Sequence, residues 1–104
     1  MSKPPVDMDN RRRQLSSRYG ISLEDYERLL TKQNGKCAVC DTTTPNGGKQ
    51  FFCVDHCHIT GAVRGLLCHS CNVGLGYLKD SLNNTRAAVR YLSGNTFEPF
   101  TWCG

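Results

Sequence analysis

The stretch that decides the fold spans residues 35–72 and contains three short motifs, GKCAVC (35–40), VDHCH (54–58) and GAVRGLLCHSCN (61–72). The first and third motifs each hold two cysteines separated by two residues, a spacing typical of zinc-binding turns. The middle motif places an aspartate beside a histidine, with a second histidine two residues further on. The pattern predicts that a metal-binding pair of turns holds an Asp–His element in place.

Four cysteines form the predicted metal site: Cys37, Cys40, Cys68 and Cys71. Two thiolates in each tight turn can occupy adjacent corners of a zinc tetrahedron, with Zn–S distances of about 2.3 Å. A redox-active cysteine pair is the alternative, but the chain lacks the βαβ pattern that usually surrounds such a pair. A zinc ion with four thiolate ligands has no open position, so we expect a structural ion that joins the ends of the insertion 41–67.

The middle motif predicts a second, catalytic metal site. Asp55 and His56 end a predicted strand, and Asn72 immediately follows the last of the four cysteines. Carboxylate and amide oxygens suit a hard divalent cation, Mg²⁺ or Mn²⁺, which leaves the imidazole free as a general base. A surface Asp–His pair without catalytic function is the alternative. Neighbouring residues on an extended strand point to opposite faces, so both can serve one site only if the strand bends or ends there.

Short helices and one hairpin are predicted around these motifs. A helix begins at the N-cap Ser22, which forms a capping-box pattern with Asp25, and it ends at Asn34-Gly35. Strand composition is found over residues 51–54 and 59–67, with a turn at 60–61 that makes a short hairpin plausible. An irregular loop over residues 41–50 precedes them. Two further helices are predicted over residues 71–79 and 84–92. The expected fold class is small α+β, with a zinc-clipped core, flanking helices and irregular termini.

Composition excludes several classes of protein. A chain of 104 residues favours one domain. No stretch approaches the ~20 apolar residues of a membrane span, and the N-terminus lacks the apolar segment of a secretory signal. The seven cysteines therefore favour metal binding in a reducing compartment, and their odd number argues against a fully paired disulfide framework. We expect a cytoplasmic protein that does not contact membranes.

The net charge of +4 is concentrated at the N-terminus, where the first 20 residues hold five of the thirteen basic side chains and two of the nine acidic ones. The sequence predicts a basic, flexible arm over residues 1–20, one domain over 21–94 and an irregular tail over 95–104. For residues 11–20 a short helix is the alternative to an extended part of the arm. The arm predicts contacts with a polyphosphate, and a solvated, frayed terminus is the alternative. Arg64, on the second predicted strand, is a candidate phosphate clamp or one half of an ion pair. The candidates in the arm are Arg11, Arg12 and Arg13.

The three motifs together resemble the recombination endonuclease VII family over roughly residues 20–92. That family is mostly phage-encoded and belongs to the His-Me finger, or ββα-metal, nucleases, which are HNH-like. The resemblance implies a metal-dependent DNA endonuclease that hydrolyses phosphodiester bonds, with branched, recombination or packaging DNA as candidate substrates and the host-cell cytoplasm as its location. It leaves open a homodimer or a phage DNA-processing partner. A non-catalytic zinc module that binds nucleic acid or protein is the alternative function.

The resemblance also carries residue roles onto this chain. It implies that the four cysteines hold zinc, that Asp55 and Asn72 bind the catalytic Mg²⁺ or Mn²⁺, and that His56 is the general base. His58 matches a second histidine of the family motif. Cys57 stands where the family often has an acid.

Overall fold

The computed structural model describes residues 8–94, which fold into four helices and a two-stranded antiparallel sheet. This arrangement confirms the predicted small α+β class. The predicted tail and the first seven residues of the predicted arm lie outside the described residues. In the described part of the chain, every helix is too short or too polar to cross a membrane. The elements are α1 (Met8–Tyr19), α2 (Leu23–Lys32), β1 (Cys53–His56), β2 (Val63–Leu67), α3 (His69–Tyr77) and α4 (Leu82–Leu92).

The chain divides into two compact units, residues 1–72 and 73–104. The first unit contains α1, α2, the sheet and the start of α3. The described part of the second unit contains the rest of α3 and α4, which begins at the N-cap Ser81. The Ser81 hydroxyl accepts a hydrogen bond from the N–H of Asn84 at 3.0 Å. The domain predicted over residues 21–94 therefore includes residues of both units.

Residues 8–19 form a helix, which agrees with the short helix that is one of the two sequence interpretations of residues 11–20. Leu15 is fully buried, and Arg11 is only 9% exposed despite its charge. The guanidinium carbon of Arg11 lies 4.1 Å from the ring centroid of Phe51 and 5.0 Å from that of Tyr26. Such a cation–π contact is most favourable where water is excluded. These contacts hold α1 against α2 and the segment before β1. Counting charges in the sequence does not reveal them.

The start and the buried face of α2 follow the prediction. The Ser22 hydroxyl accepts a hydrogen bond from the N–H of Asp25 at 3.0 Å, and the Asp25 carboxylate accepts one from the N–H of Ser22 at 3.1 Å. This capping box satisfies two amides that the helix leaves free. The Tyr26 hydroxyl accepts the N–H of Phe52 at 3.1 Å, which ties α2 to the segment entering β1. The buried apolar residues are Leu15, Leu23, Tyr26, Cys37, Phe52, Val54, Leu66, Leu67 and Cys68.

The pairing of β1 with β2 changes register between Asp55 and His56. Asp55 lies opposite Gly65, whereas His56 lies opposite Val63, so Arg64 is the extra residue of a β-bulge. A bulge bends the bulged strand and increases the local twist. The bulged strand here is β2, and the bulge lies opposite the Asp55–His56 step, where β1 ends.

The side-chain amide of Gln33 hydrogen-bonds to the main chain of β2. Its Nε2 donates to the carbonyl oxygens of Lys36 at 2.8 Å and Leu66 at 2.9 Å, and its Oε1 accepts from the N–H of Leu66 at 2.9 Å. The amide therefore pairs with β2 as a neighbouring peptide group would. A Cβ at Gly65 would lie 3.0 Å from this Oε1, so glycine at that position leaves room for the contact.

Replacing Gln33 by alanine should lower the free energy of unfolding by about 1–3 kcal/mol, because the main-chain groups of Leu66 lose their partners. Urea unfolding followed by circular dichroism measures the effect. The matched control is Gln50→Ala, since Gln50 is exposed, and its effect should stay within about 0.5 kcal/mol. Equal losses in the two variants would contradict the role of the Gln33 amide.

Candidate active site and metal centre

The four predicted cysteine ligands come together in the structure. Their sulfur atoms all lie within 4.8 Å of one another, and the sulfurs of Cys40 and Cys68 are 3.7 Å apart. In a zinc tetrahedron with Zn–S bonds of about 2.3 Å, neighbouring sulfurs are about 3.8 Å apart. The four-cysteine cluster, Cys37, Cys40, Cys68 and Cys71, therefore fits a structural zinc ion.

Main-chain N–H groups shape both cysteine turns. The N–H of Val39 donates to the sulfur of Cys37, and the N–H of Cys71 donates to the sulfur of Cys68, each at 3.4 Å. Bonds of this kind favour the thiolate, which is the form that binds metal. Cys68 also separates β2 from α3, so a metal at this point would fix the hairpin and the start of the helix together.

The electrostatics of the cluster are uneven. Burial acts to raise the pKa of Cys37, but hydrogen bonds from the main-chain N–H groups of Cys40, Cys68 and Val39 outweigh it and lower the pKa to about 6. Burial, followed by the neighbouring sulfur atoms, raises the pKa of Cys71 above its ordinary value. Crowded thiols resist losing further protons because each new negative charge opposes the next. A divalent zinc ion offsets that repulsion, which makes metal binding and full deprotonation mutually dependent.

The irregular segment 41–50 supports the cluster through Asn46. The Oδ1 of Asn46 accepts hydrogen bonds from the N–H of Ser70 at 3.0 Å and from its hydroxyl at 3.1 Å. The N–H of Ser70 lies in the first turn of α3 and has no partner within the helix, so Asn46 supplies its acceptor. Gly47 has a φ of +59°, and a Cβ there would lie 2.3 Å from the His69 ring, so only glycine fits. The Asn46-Gly47 pair is a turn signal in the sequence, but no local pattern shows that the turn packs on α3.

Asp55 is held by a two-point ion pair with Arg64. The Nε of Arg64 donates to Oδ2 of Asp55 at 2.7 Å, and its Nη2 donates to Oδ1 at 3.1 Å. Of the two alternatives for Arg64, the structure shows the ion pair. A carboxylate offers about four lone-pair positions. Asp55 therefore keeps acceptor positions for a second cation beside Arg64, and its oxygens are the kind of donor that Mg²⁺ and Mn²⁺ prefer.

His56 and His58 are both exposed, on either side of Cys57. Their rings are nearly parallel, with an interplanar angle of 11° and centroids 5.7 Å apart. The tight turn that follows β1 holds them, with the N–H of Gly61 donating to the carbonyl of Cys57 at 2.7 Å. The exposed His56 imidazole is accessible to water, as a general base must be.

Cys57 accepts hydrogen bonds within the same turn. The hydroxyl and then the N–H of Thr60 lower the pKa of the Cys57 thiol. A carboxylate at this position would accept the same bonds. Cys57 stands where the resemblance implies an acid. It still supplies a hydrogen-bond acceptor for Thr60, although it carries no permanent charge.

Asn72 lies in the first turn of α3, directly after the last cysteine of the cluster. Its N–H donates to the carbonyl of Cys68 at 3.0 Å, so the cysteine turn fixes its main chain. Within residues 8–94, no hydrogen bond joins the Asn72 side chain to Asp55 or His56. The structure brings Asp55 together with Arg64, and His56 together with His58, but leaves Asn72 outside both pairs.

The three consecutive arginines of α1 have different surroundings. Arg11 is buried against aromatic rings, whereas Arg12 forms an exposed ion pair with Glu24 at 2.9 Å. Arg13 is exposed. Successive residues on a helix are about 100° apart around its axis. The three arginines predicted to contact phosphate are therefore not equivalent, because Arg11 is buried whereas Arg12 and Arg13 are exposed.

Comparison with known proteins agrees with this geometry. The sequence model of the recombination endonuclease VII family matches residues 12–94. The chain belongs to the recombination endonuclease VII family. This endonuclease VII match confirms the resemblance found in the three motifs, and it begins inside α1, upstream of the domain start predicted from the sequence.

Curated relatives of this endonuclease VII family member come from mycobacterial phages. The chain is similar to the Gene 59 proteins of Mycobacterium phages L5 and D29, each 41% identical over 75 residues. That alignment covers 71% of this chain and 44% of each relative, so the chain spans less than half the length of the proteins it matches. No solved structure matches it.

Proposed function

We propose that the protein is a divalent-metal-dependent DNA endonuclease that hydrolyses phosphodiester bonds in branched, recombination or packaging DNA. The family suggests a nuclease that acts on recombination intermediates. The observation that carries the assignment is the position of Asp55 and His56, at the bulge where β1 ends. The same hairpin runs directly into the four-cysteine cluster. A binding module has no need of an acid and an imidazole at this point.

His56 is the general base in this mechanism. Its neutral imidazole takes a proton from the water that attacks phosphorus, and its exposure allows the proton to leave to solvent. His58 stacks on His56 and orients its ring. Arg64 fixes the plane of the Asp55 carboxylate through two hydrogen bonds. The site thus holds a base and a carboxylate before DNA arrives.

Asp55 and Asn72 are the residues that would hold Mg²⁺ or Mn²⁺, because both offer oxygen donors. When bound, such a cation would neutralise negative charge on the phosphate and on the leaving oxygen. The four-cysteine cluster holds the structural zinc, which has no open position for substrate. Its task is to keep the β1–β2 hairpin and the first turn of α3 in register, so that Asp55 on β1 and Asn72 on α3 stay in place.

Replacing Asn72 by alanine should impair cleavage and the response to divalent metal while leaving DNA binding in chelator near normal. The half-saturating Mg²⁺ concentration should rise at least about 10-fold, the lower end of the effect found for groups that merely support a metal ligand. Cleavage rates over a Mg²⁺ titration, with binding measured in EDTA, give both quantities. The control is Asn83→Ala on α4, where the asparagine is exposed. An unchanged Mg²⁺ response in Asn72→Ala would remove Asn72 from the metal site.

A panel of DNA substrates tests the proposed activity and its substrate class. Duplex, single-stranded, mismatched and four-way DNA of equal length are incubated with zinc-loaded protein in Mg²⁺ or Mn²⁺. Faster cleavage of the four-way DNA would support a role on recombination intermediates, and equal cleavage would support a nuclease without branch preference. Binding without cleavage of any substrate would instead support a non-catalytic zinc module.

A further inference from the structure

A cleft of about 540 Å³ lies between α1 and residues 48–53, within the first unit. This volume falls in the range of about 300–1,000 Å³ that is usual for ligand sites. Its walls carry three cationic side chains and several aromatic ones, and none of the described lining residues is acidic. None of them belongs to the catalytic groups proposed above. The cations are Arg11, Arg18 and Lys49.

Arg11 is the buried component of this cleft. It is 9% exposed, and its buried Nε has no hydrogen-bond partner in the part of the chain that the structure describes. The stack on Phe51, at 4.1 Å, fixes the guanidinium in position. A buried cation with an unsatisfied donor is unfavourable unless an acceptor, preferably an anion, completes it. No acidic side chain of the cleft provides that acceptor.

We propose, on the basis of the function proposed above, that this cleft binds neighbouring backbone phosphates of the DNA substrate. Arg11 supplies fixed donors that match the geometry of phosphate oxygens. Arg18 and Lys49 are exposed at its rim and supply charge that attracts the strand. The aromatic walls exclude water and thereby strengthen these charge interactions. Phosphate contact through α1 is therefore concentrated in the cleft instead of being spread over three consecutive arginines.

The test compares two double variants that remove the same charge from the first unit. Arg18→Gln with Lys49→Gln removes both positive charges from the rim of the cleft and leaves the packing of Arg11 intact. Arg12→Gln with Arg13→Gln removes two positive charges from the same helix but outside the lining of the cleft. Binding to a fluorescent duplex of about 20 base pairs is measured by anisotropy in EDTA, between about 50 and 200 mM salt.

The rim variant should bind more weakly, with a salt slope shallower by roughly 1.8, since each lost contact removes about 0.9. The control variant should keep the parent slope.

Three results would overturn the cleft assignment: an unchanged slope in the rim variant, equal losses in the two variants, or rim-variant cleavage that is lost although binding is unchanged. Single-turnover cleavage at saturating enzyme in Mg²⁺ tests the proposed function separately. There the rim variant should cleave bound DNA at the parent rate, because neither residue is placed among the reacting groups. If the parent fails to cleave but the two variants still differ in slope as expected, the endonuclease function is wrong and the phosphate cleft stands.

Discussion

Replacing His56 by alanine is expected to slow single-turnover DNA cleavage by roughly 10²–10⁴-fold, the usual contribution of a positioned general base. The zinc content and the free energy of unfolding should remain close to those of the parent, because His56 is exposed at the end of β1. Cleavage at saturating enzyme in Mg²⁺, with zinc content and urea unfolding measured on the same protein, tests both expectations.

His58→Ala is the matched control for this substitution. It removes the ring that stacks on His56 but keeps the base itself, so the loss of rate should be clearly smaller. A His56→Ala protein that is free of contaminating nuclease and cleaves at the parent rate would contradict the assignment of the base. Equal losses in the two variants would mean that the pair acts as one unit.

Replacing Cys68 by serine is expected to abolish zinc binding and cooperative folding of the first unit. Cys68 is fully buried and lies at the junction of β2 and α3. Zinc ligation contributes directly to folding, with apparent free energies of about 10–16 kcal/mol in zinc-finger peptides. Elemental analysis and thermal unfolding followed by circular dichroism measure the two effects. The parent should contain one zinc ion per chain.

The control for this effect is Cys53→Ser, because Cys53 is a half-buried cysteine of β1 outside the four-cysteine cluster. This variant should retain zinc and a cooperative transition. A folded, active Cys68→Ser protein without zinc would contradict the structural role of the metal. So would active parent protein that contains none.

Features whose chemistry demands a fixed spacing could be predicted from the sequence. Two cysteine pairs specify a tetrahedral site because few other arrangements of thiols at that spacing exist. The capping box of α2 was equally predictable, since Ser22 and Asp25 satisfy each other within one turn. The family followed from the motifs for the same reason.

The ends of the strands were predicted less well, because neighbouring elements decide them. Residues 51–54 were expected to form a strand, but β1 begins at Cys53. The N–H of Phe52 is used by the Tyr26 hydroxyl, and Phe51 lies under Arg11. The second strand was expected from residue 59, yet Ile59 is 94% exposed in the turn and β2 begins at Val63.

Contacts between residues far apart in the chain could not be predicted at all. Gln33 pairs with Leu66, and Asn46 with Ser70, yet neither pair leaves a periodic or local signal. The stacking of Arg11 is of the same kind, because a basic run predicts a solvated surface unless aromatic partners are known. The β-bulge at Arg64, opposite the Asp55–His56 step, is also invisible in the sequence.

Nicking of supercoiled plasmid DNA by zinc-loaded protein tests the central claim most directly. Identical samples receive Mg²⁺, Mn²⁺ or EDTA, and their zinc content is measured after the reaction. We expect nicked circles with Mg²⁺ or Mn²⁺ and none with EDTA, although the EDTA sample retains its zinc, because the thiolate-bound ion has no open position for catalysis. Folded, zinc-loaded protein that nicks nothing in either metal, or that nicks equally well in EDTA, would contradict a divalent-metal-dependent endonuclease.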